Sequence, residues 1–308
     1  MALVELARGI FVVVPEAPPR YPYGNCMYLE GDTRAVIDFG AGGRAFAELD
    51  KDRIEMGFIS HFHFDHVHCN VLFPHTALYV GEEEKETYRD FASYISFHGY
   101  DLWDKLMPGV ERIPYGEAVP LPDDVPVKPG FREISISGTI KDLDQVNLGG
   151  IVLTAIHLPG HSLGHYGFYL EKEGILFSGD IDLVPSGPWY SSNSGDVGAL
   201  ISSVERIREI APRIIVPSHR RLITENIDQG LRRYIKVVLN REEKIYQLLK
   251  EPRTLHDLAR QRLVFANPQN MYDVFWEKMT IRNHLKHLMA QGLITEIEEG
   301  LFVRTDVL

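Results

Sequence analysis

Ser60-His61-Phe62-His63-Phe64-Asp65-His66 follows directly on Gly57-Phe58-Ile59, an apolar run that reads as a buried strand. His61, His63 and Asp65 recur at every second position. An extended chain leaving a strand turns alternate side chains to one face, so these three point together. His66 falls on the opposite phase and faces a neighbouring site as the chain turns into a helix. Imidazole and carboxylate donors together suit zinc, iron, manganese or nickel, whereas magnesium and calcium want mostly oxygen. A single histidine here would read as an ordinary core or surface residue. Three histidines and an aspartate in six residues, beside a buried strand, read as a metal centre, with Phe62 and Phe64 as an apolar shell between the ligands.

Around this segment the chain alternates short β-branched runs with turns. Strands are expected at Ile10–Val14, Met27–Glu30, Ala35–Ile37 and Gly57–Ile59, then at Ile134–Ile136, Ile151–His157, Tyr166–Leu170, Ile175–Phe177 and Ile214–Val216. Residues 84–130 break the rhythm: Glu84–Leu106 reads as helical and aromatic-rich, and Pro108–Pro129 as a proline-punctuated loop. An insert of that length is a lid or a peripheral decoration. Asp196 is placed to start a helix through about Ile210, where Leu200, Val204 and Ile207 keep helical spacing. From about residue 236 the pattern becomes helical. Arg241–Lys250, a short helix capped by Thr254 and an amphipathic Thr280–Gln291 precede two strand-like pieces, Leu293–Ile297 and Leu301–Arg304. Three helices and a hairpin resemble a winged helix, so two domains are expected, at 1–235 and 236–308.

Composition sets the outer limits. The chain has 308 residues, 44% hydrophobic and 24% charged, which is the balance of an ordinary globular protein. No apolar run approaches the ~18 residues of a membrane span. Gly9–Pro15 is too short for a signal-peptide core. Cys26 and Cys69 form neither a metal motif nor a disulfide framework, so a reducing cytoplasm is the expected compartment, with Cys69 a thiol near the site. Residues 1–235 carry 21 Lys and Arg against 33 Asp and Glu, whereas residues 236–308 carry 11 against 10. An acidic main domain repels phosphate backbones, which weighs against a nucleic-acid substrate.

The His61–His66 segment matches the H-x-H-x-D-H motif of the metallo-β-lactamase superfamily, and four further segments resemble family motifs in order. Val36-Ile37-Asp38-Phe39-Gly40 is similar to a strand-end Asp-x-Gly. Gly160-His161-Ser162-Leu163-Gly164-His165 is similar to G-H-[ST]-x-G-H. Phe177-Ser178-Gly179-Asp180 resembles the bridging-aspartate motif. Pro217-Ser218-His219 resembles the last-histidine motif, with Ser218 where glycine is usual. The resemblance covers roughly residues 5–230. It implies an α/β, four-layer αβ/βα sandwich and a glyoxalase II-like dinuclear site. It puts His61, His63 and His161 on one divalent ion, Asp65, His66 and His219 on a second, and Asp180 between them. Zinc is expected, with iron or manganese as alternatives. Gly160 and Gly164 permit the tight loop that holds His161.

The implied reaction is hydrolysis of a small ester or thioester through a metal-bridging hydroxide, with Asp65 orienting the nucleophile or taking its proton. Asp38 is expected to hydrogen-bond a ligand rather than to be one. His165 is expected to orient a ligand or touch substrate, and Trp189 and Tyr190 are candidates to line the pocket. Two other activities are open to this superfamily. One is single-strand endoribonuclease action, for which Arg282, His284, Lys286 and His287 on the last helix, with Lys278 before it, would face phosphates. The wing glutamates Glu296, Glu298 and Glu299 oppose that. The other is iron-dependent persulfide dioxygenation, which works with one metal and is disfavoured by a full second ligand set. Packing against the pocket or homodimerisation is the expected role of the C-terminal module.

Overall fold

Two sheets pack face to face, and the chain enters them strand by strand. The computed structural model describes residues 3–307. The first sheet has the order β1 (Leu3–Ala7), β2 (Ile10–Val13), β3 (Cys26–Glu30), β4 (Arg34–Ile37), β5 (Met56–Phe58), β6 (Ala77–Gly81) and β7 (Gly138–Ile140). Its first four strands are antiparallel neighbours, and β4 to β7 run parallel. The second sheet contains β8 (Gln145–Asn147), β9 (Val152–His157), β10 (Tyr166–Leu170), β11 (Ile175–Gly179) and β12 (Ile214–Pro217), in the order β12-β11-β10-β9-β8. Only β11 and β12 are parallel in it, so their C-terminal ends share one edge.

Alternation decides what lies between the sheets. Val12, Met27, Leu29, Ile37 and Phe58 from the first meet Leu153, Phe168, Phe177 and Val216 from the second in one buried cluster. Each such side chain, fully buried, contributes roughly 1.5–3 kcal/mol. The outer faces are covered by helices. On the second sheet, Leu200, Val204 and Ile207 of the Val197–Ile210 helix and Leu231, Tyr234 and Val238 of the Ile227–Leu248 helix form that layer. Asp196 caps the first of these by accepting from Ala199 N–H at 2.7 Å. Phe39, Phe46, Phe73, Tyr88 and Phe97 cover the first sheet. The result is the four-layer α/β sandwich.

Several expectations shift. Ile134–Ile136 is no strand: Ile134 N–H bonds Tyr88 O outside any ladder, and pairing with β6 begins only at Gly138. Glu84–Leu106 is not one helix. A 3-10 turn (Glu82–Tyr88) and an α-helix (Phe91–His98) ended by left-handed Gly99 divide it. The helix expected from Arg241 begins at Ile227 and carries the chain through residue 235. The helix expected from Thr280 begins at Met271, where Asn270 accepts from Tyr272 and Asp273 N–H.

A three-stranded sheet, β13 (Arg253–Thr254), β14 (Ile294–Glu298) and β15 (Leu301–Arg304), packs with the Leu255–Ala259 and Met271–Ala290 helices. The latter helix also packs Tyr272, Phe275 and Met279 against Trp103, Leu106 and Met107 of the insert. Among the described residues no helix is long and apolar enough to cross a membrane.

Candidate metal centre

Five of the seven donors singled out in the sequence sit at the C-terminal end of a strand or in a loop between strands, where a rigid sheet edge can aim them. Asp65 and His66 lie in the short helix Phe64–Val67, which turns them to a second group. His61 and His63 follow β5, His161 lies between β9 and β10, and Asp180 and His219 follow β11 and β12. The fold gathers them into two adjoining groups, His61, His63, His161 and Asp180 beside Asp65, His66 and His219, with the donor atoms of each group within 4.8 Å of one another.

Hydrogen bonds on the outer side of the rings fix which nitrogen faces inward. Ser60 Oγ donates to Asp38 Oδ2 at 2.7 Å, so it accepts from His61 Nδ1–H at 3.0 Å. His161 Nδ1–H donates to Trp189 O at 2.7 Å. The lone pairs of His61 Nε2 and His161 Nε2 therefore face each other at 3.0 Å, with His63 Nδ1 at 2.9 and 2.8 Å from them. In the second group His66 Nδ1–H donates to Asp38 Oδ2 at 2.6 Å and His219 Nδ1–H to Tyr23 O at 3.0 Å. Their Nε2 lone pairs face Asp180 Oδ1 at 3.1 and 3.2 Å, and His219 also faces Asp65 Oδ2 at 3.2 Å. The other Asp180 oxygen lies 3.3 Å from His161 Nε2.

Lone pairs aimed at lone pairs and at carboxylates repel unless something positive lies among them. His66 Nε2 and Asp180 Oδ1 are buried without a hydrogen bond, as is His63 Nε2. A cation satisfies the facing donors with every imidazole neutral, so the residues fit divalent metal. With no cation the charge must come from protons. Burial pushes the His66 pKa down, yet Asp180 and Asp38 raise it to about 10. Burial likewise opposes a charge on His219, and Asp180 overcomes it. His61 is held well below the ordinary histidine value, first by burial and then by the imidazoles around it.

The supports of this cluster include residues with no sequence motif. Glu84, 3% exposed, accepts from Phe62 N–H at 2.9 Å and from Gly164 N–H at 2.7 Å. One carboxylate thus ties the loop of His61 and His63 to the loop of His161. Gly164 is required there, because a Cβ would meet Glu84 Cγ at 2.8 Å. His165 is fully buried. Its Nδ1–H bonds Leu158 O at 2.9 Å, and its Nε2 accepts Asp180 N–H at 3.0 Å. Burial, then His161, lowers its pKa to about 3, so it stays a neutral acceptor. Gly179 lies in the left-handed region at φ 55°, and a Cβ on it would stand 2.5 Å from His165 Nε2.

Trp189 lies half-buried with its ring centroid 5.0 Å from that of His63 and 5.6 Å from that of His161. Tyr190 turns the other way. It is 1% exposed, and its hydroxyl bonds His284 Nε2 at 2.8 Å and Arg241 Nη1. His284 and His287 in turn meet Glu242 Oε2 at 3.1 and 2.7 Å. Asn283 Nδ2 donates to Tyr190 O and Ser192 O at 2.9 Å, and Ser191 Oγ lies 2.7 Å from Thr280 Oγ1. The Met271–Ala290 helix thus pins the 189–192 loop whose Trp189 carbonyl orients His161. Cys69 is buried, with its thiol pKa pushed up to about 12 by burial.

The chain is similar to known proteins over much of its length. Residues 20–219 match the family model described as metallo-beta-lactamase superfamily. The chain is 27% identical over 128 residues to the beta-lactamase-like protein 2 homolog of Caenorhabditis elegans, a match covering 42% of each chain. The chain therefore spans well under two thirds of that relative's length, and two further curated relatives are matched over 32% of theirs. It is 27% identical over 239 residues to acyl-coenzyme A thioesterase MBLAC2 of Bos taurus, covering 70% of this chain and 79% of that one. The crystal structure of a metallo-beta-lactamase family protein from Thermus thermophilus superposes with a TM-score of 0.75 at 22% identity, over 97% of this chain and 100% of that chain.

Proposed function

The chain belongs to the metallo-beta-lactamase superfamily, and from that premise we propose that it is a metal-dependent hydrolase of a small ester or thioester. The observation that carries the reading is the set of imidazole lone pairs and carboxylates turned inward around Asp180. In this reading His61, His63 and His161 hold one divalent ion and Asp65, His66 and His219 a second, with Asp180 between them in a glyoxalase II-like arrangement. Zinc is the first choice of ion, and iron or manganese the alternatives. Such ions supply Lewis acidity toward the scissile carbonyl and bring the pKa of a water near neutrality.

The remaining work falls to the chain. Asp65, whose Oδ2 lies 3.2 Å from His219 Nε2, would orient the attacking water or take its proton. His165 has both ring nitrogens engaged and positions Asp180 through its main chain. Trp189 flanks the substrate, and Tyr190 shapes that flank from behind. We read residues 1–235, with the 84–130 insert, as the catalytic domain and residues 236–308 as a winged-helix-like extension. The β13-β15-β14 sheet and the helices packed on it support that division.

An acyl substrate is favoured over RNA by how the last helix spends its basic residues. Lys278 Nζ is buried against Leu106 O, Arg282 donates to Asn193 Oδ1 at 3.0 Å, and His284 and His287 face Glu242. Of the five residues read as a phosphate-facing set, only Lys286 is exposed. The name of MBLAC2, an acyl-coenzyme A thioesterase, supports the same class. Elemental analysis of the purified protein with a panel of small thioesters tests the reading. About two metal ions per chain with turnover is the expected result; two ions, no thioester or ester hydrolysis and cleavage of single-stranded RNA would overturn it.

A further inference from the structure

Beside the ligand segment, a line of aromatic rings leaves the centre and returns to it. It starts at Phe64, adjacent to Asp65, and passes to Tyr21 (centroids 6.1 Å apart), Tyr115 (5.6 Å), Trp276 (5.4 Å), Trp189 (5.8 Å) and back to His63 (5.0 Å). The rings come from the N-terminal loop, the ligand segment itself, the insert, the Met271–Ala290 helix and the loop after Asp180. None of the five aromatics is fully buried, and Tyr21 is 37% exposed. Large aromatic side chains gathered from five distant segments, each partly exposed and joined ring to ring as far as His63, line a cup rather than a core. The core lies behind them, in buried Tyr272 and Phe275.

We infer that this cup binds the acyl half of the substrate, and that the acyl group is a flat aromatic or conjugated ring rather than a long alkyl chain. The inference rests on the hydrolase reading above and adds the substrate class. Stiff rings touching one another at these spacings form a rigid wall, on whose exposed faces and edges a flat ring can stack offset or edge-on. A flexible chain would lose rotational freedom on lying along such a wall, which a flat ring does not. No lysine or arginine belongs to the collar, so it offers no charge partner for a phosphate. The reaction is unchanged: the oxygen of water bonds the acyl carbon, the carbon–sulfur or carbon–oxygen bond breaks, and the leaving thiolate or alkoxide takes the proton.

The chain has three tryptophans, two of them in the cup, so binding can be followed without turnover. Titration of the metal-loaded protein with 2-naphthoate, a product-like aryl carboxylate, should change tryptophan fluorescence saturably, and octanoate should bind at least tenfold more weakly. Trp276→Leu should weaken naphthoate binding about tenfold with metal content unchanged. Tyr21→Leu, at an exposed position where folding is not at stake, should weaken it several-fold. In parallel, the naphthoyl thioester of a small thiol should exceed its octanoyl counterpart in kcat/KM by tenfold or more, a margin that Trp276→Leu erases through KM. Octanoate binding as tightly as naphthoate, or variants that bind naphthoate like the wild type, would overturn the cup while thioester turnover left the hydrolase reading intact. Selective naphthoate binding with no thioester or ester turnover would do the reverse.

Discussion

His66 and His219 are oriented by Asp38 and by the Tyr23 carbonyl, supports that come from the first sheet and the loop before β3. His161, in the other half of the cluster, hangs from the Trp189 carbonyl, on a loop pinned by the helix Met271–Ala290. The segment of His61 and His63 is tied to the His161 loop by Glu84, on the first turn after β6. Similar donors are therefore held in place by different parts of the molecule. One half depends on the sandwich, and the other also depends on elements added around it. Damage at a distance should reach the His161 half and spare the His66 half.

Asp180 belongs to both halves, so Asp180→Ala should show the largest effect: loss of both ions by elemental analysis, with the circular dichroism spectrum retained. Retained metal in that variant would break the shared assignment. Asp38→Asn removes the carboxylate that orients His66, and a 10–100-fold loss of affinity is typical for such a support. The loss should be larger at the second ion when affinities are measured by chelator competition. A smaller one is expected at the first, because Asp38 also accepts from the Ser60 hydroxyl that orients His61.

Asp180, with Asp38 after it, sets a pH dependence in metal-stripped protein. The His66 pKa is raised in the folded state to about 10 from an unfolded value of ~6.5, so its stabilisation is complete below ~6.5 and is lost as pH rises through about 10. Urea midpoints should fall between pH 7 and pH 10 in wild type and less so in Asp38→Asn. Glu84→Gln puts an amide N–H₂ where a backbone N–H must be accepted. It should weaken the first ion roughly tenfold and leave the second alone; equal loss at both sites would erase the distinction between the halves. Tyr190→Phe, which frees His284 and Arg241 at the far end of the pinned loop, should cost the first ion a few-fold in affinity and leave Asp38-dependent binding unmoved.

The candidate donors are legible because chemistry and periodicity coincide in them. Four donors in six residues after a strand leave little else to read, and Asp180 and His219 stand at the ends of apolar runs. Glu84 was not legible. In Glu82-Glu83-Glu84-Lys85 it looks like one of three solvated acids, and only the crossing of two loops at that point buries it. The basic residues of the last helix left two readings open for the converse reason. Helical spacing separates a buried face from an exposed one when a helix packs on one side. This helix packs on several, so Lys278 and His284 are buried along with Met279. The strand expected at Ile134–Ile136 has the right residue types, but its backbone is engaged by Tyr88 before the ladder begins. Tertiary contacts of this kind leave no periodic trace.

The pinned loop also imposes an order on biogenesis. A chain leaving the ribosome has presented all seven donor side chains once His219 has emerged, whereas the helix that fixes the Trp189 carbonyl is made later. Domains form broadly from the N-terminus onward. The half around His66 and His219 is then complete while the half around His161 still awaits its last support. Metal capture by this protein should accordingly run in two stages, the second delayed until the C-terminal helix docks.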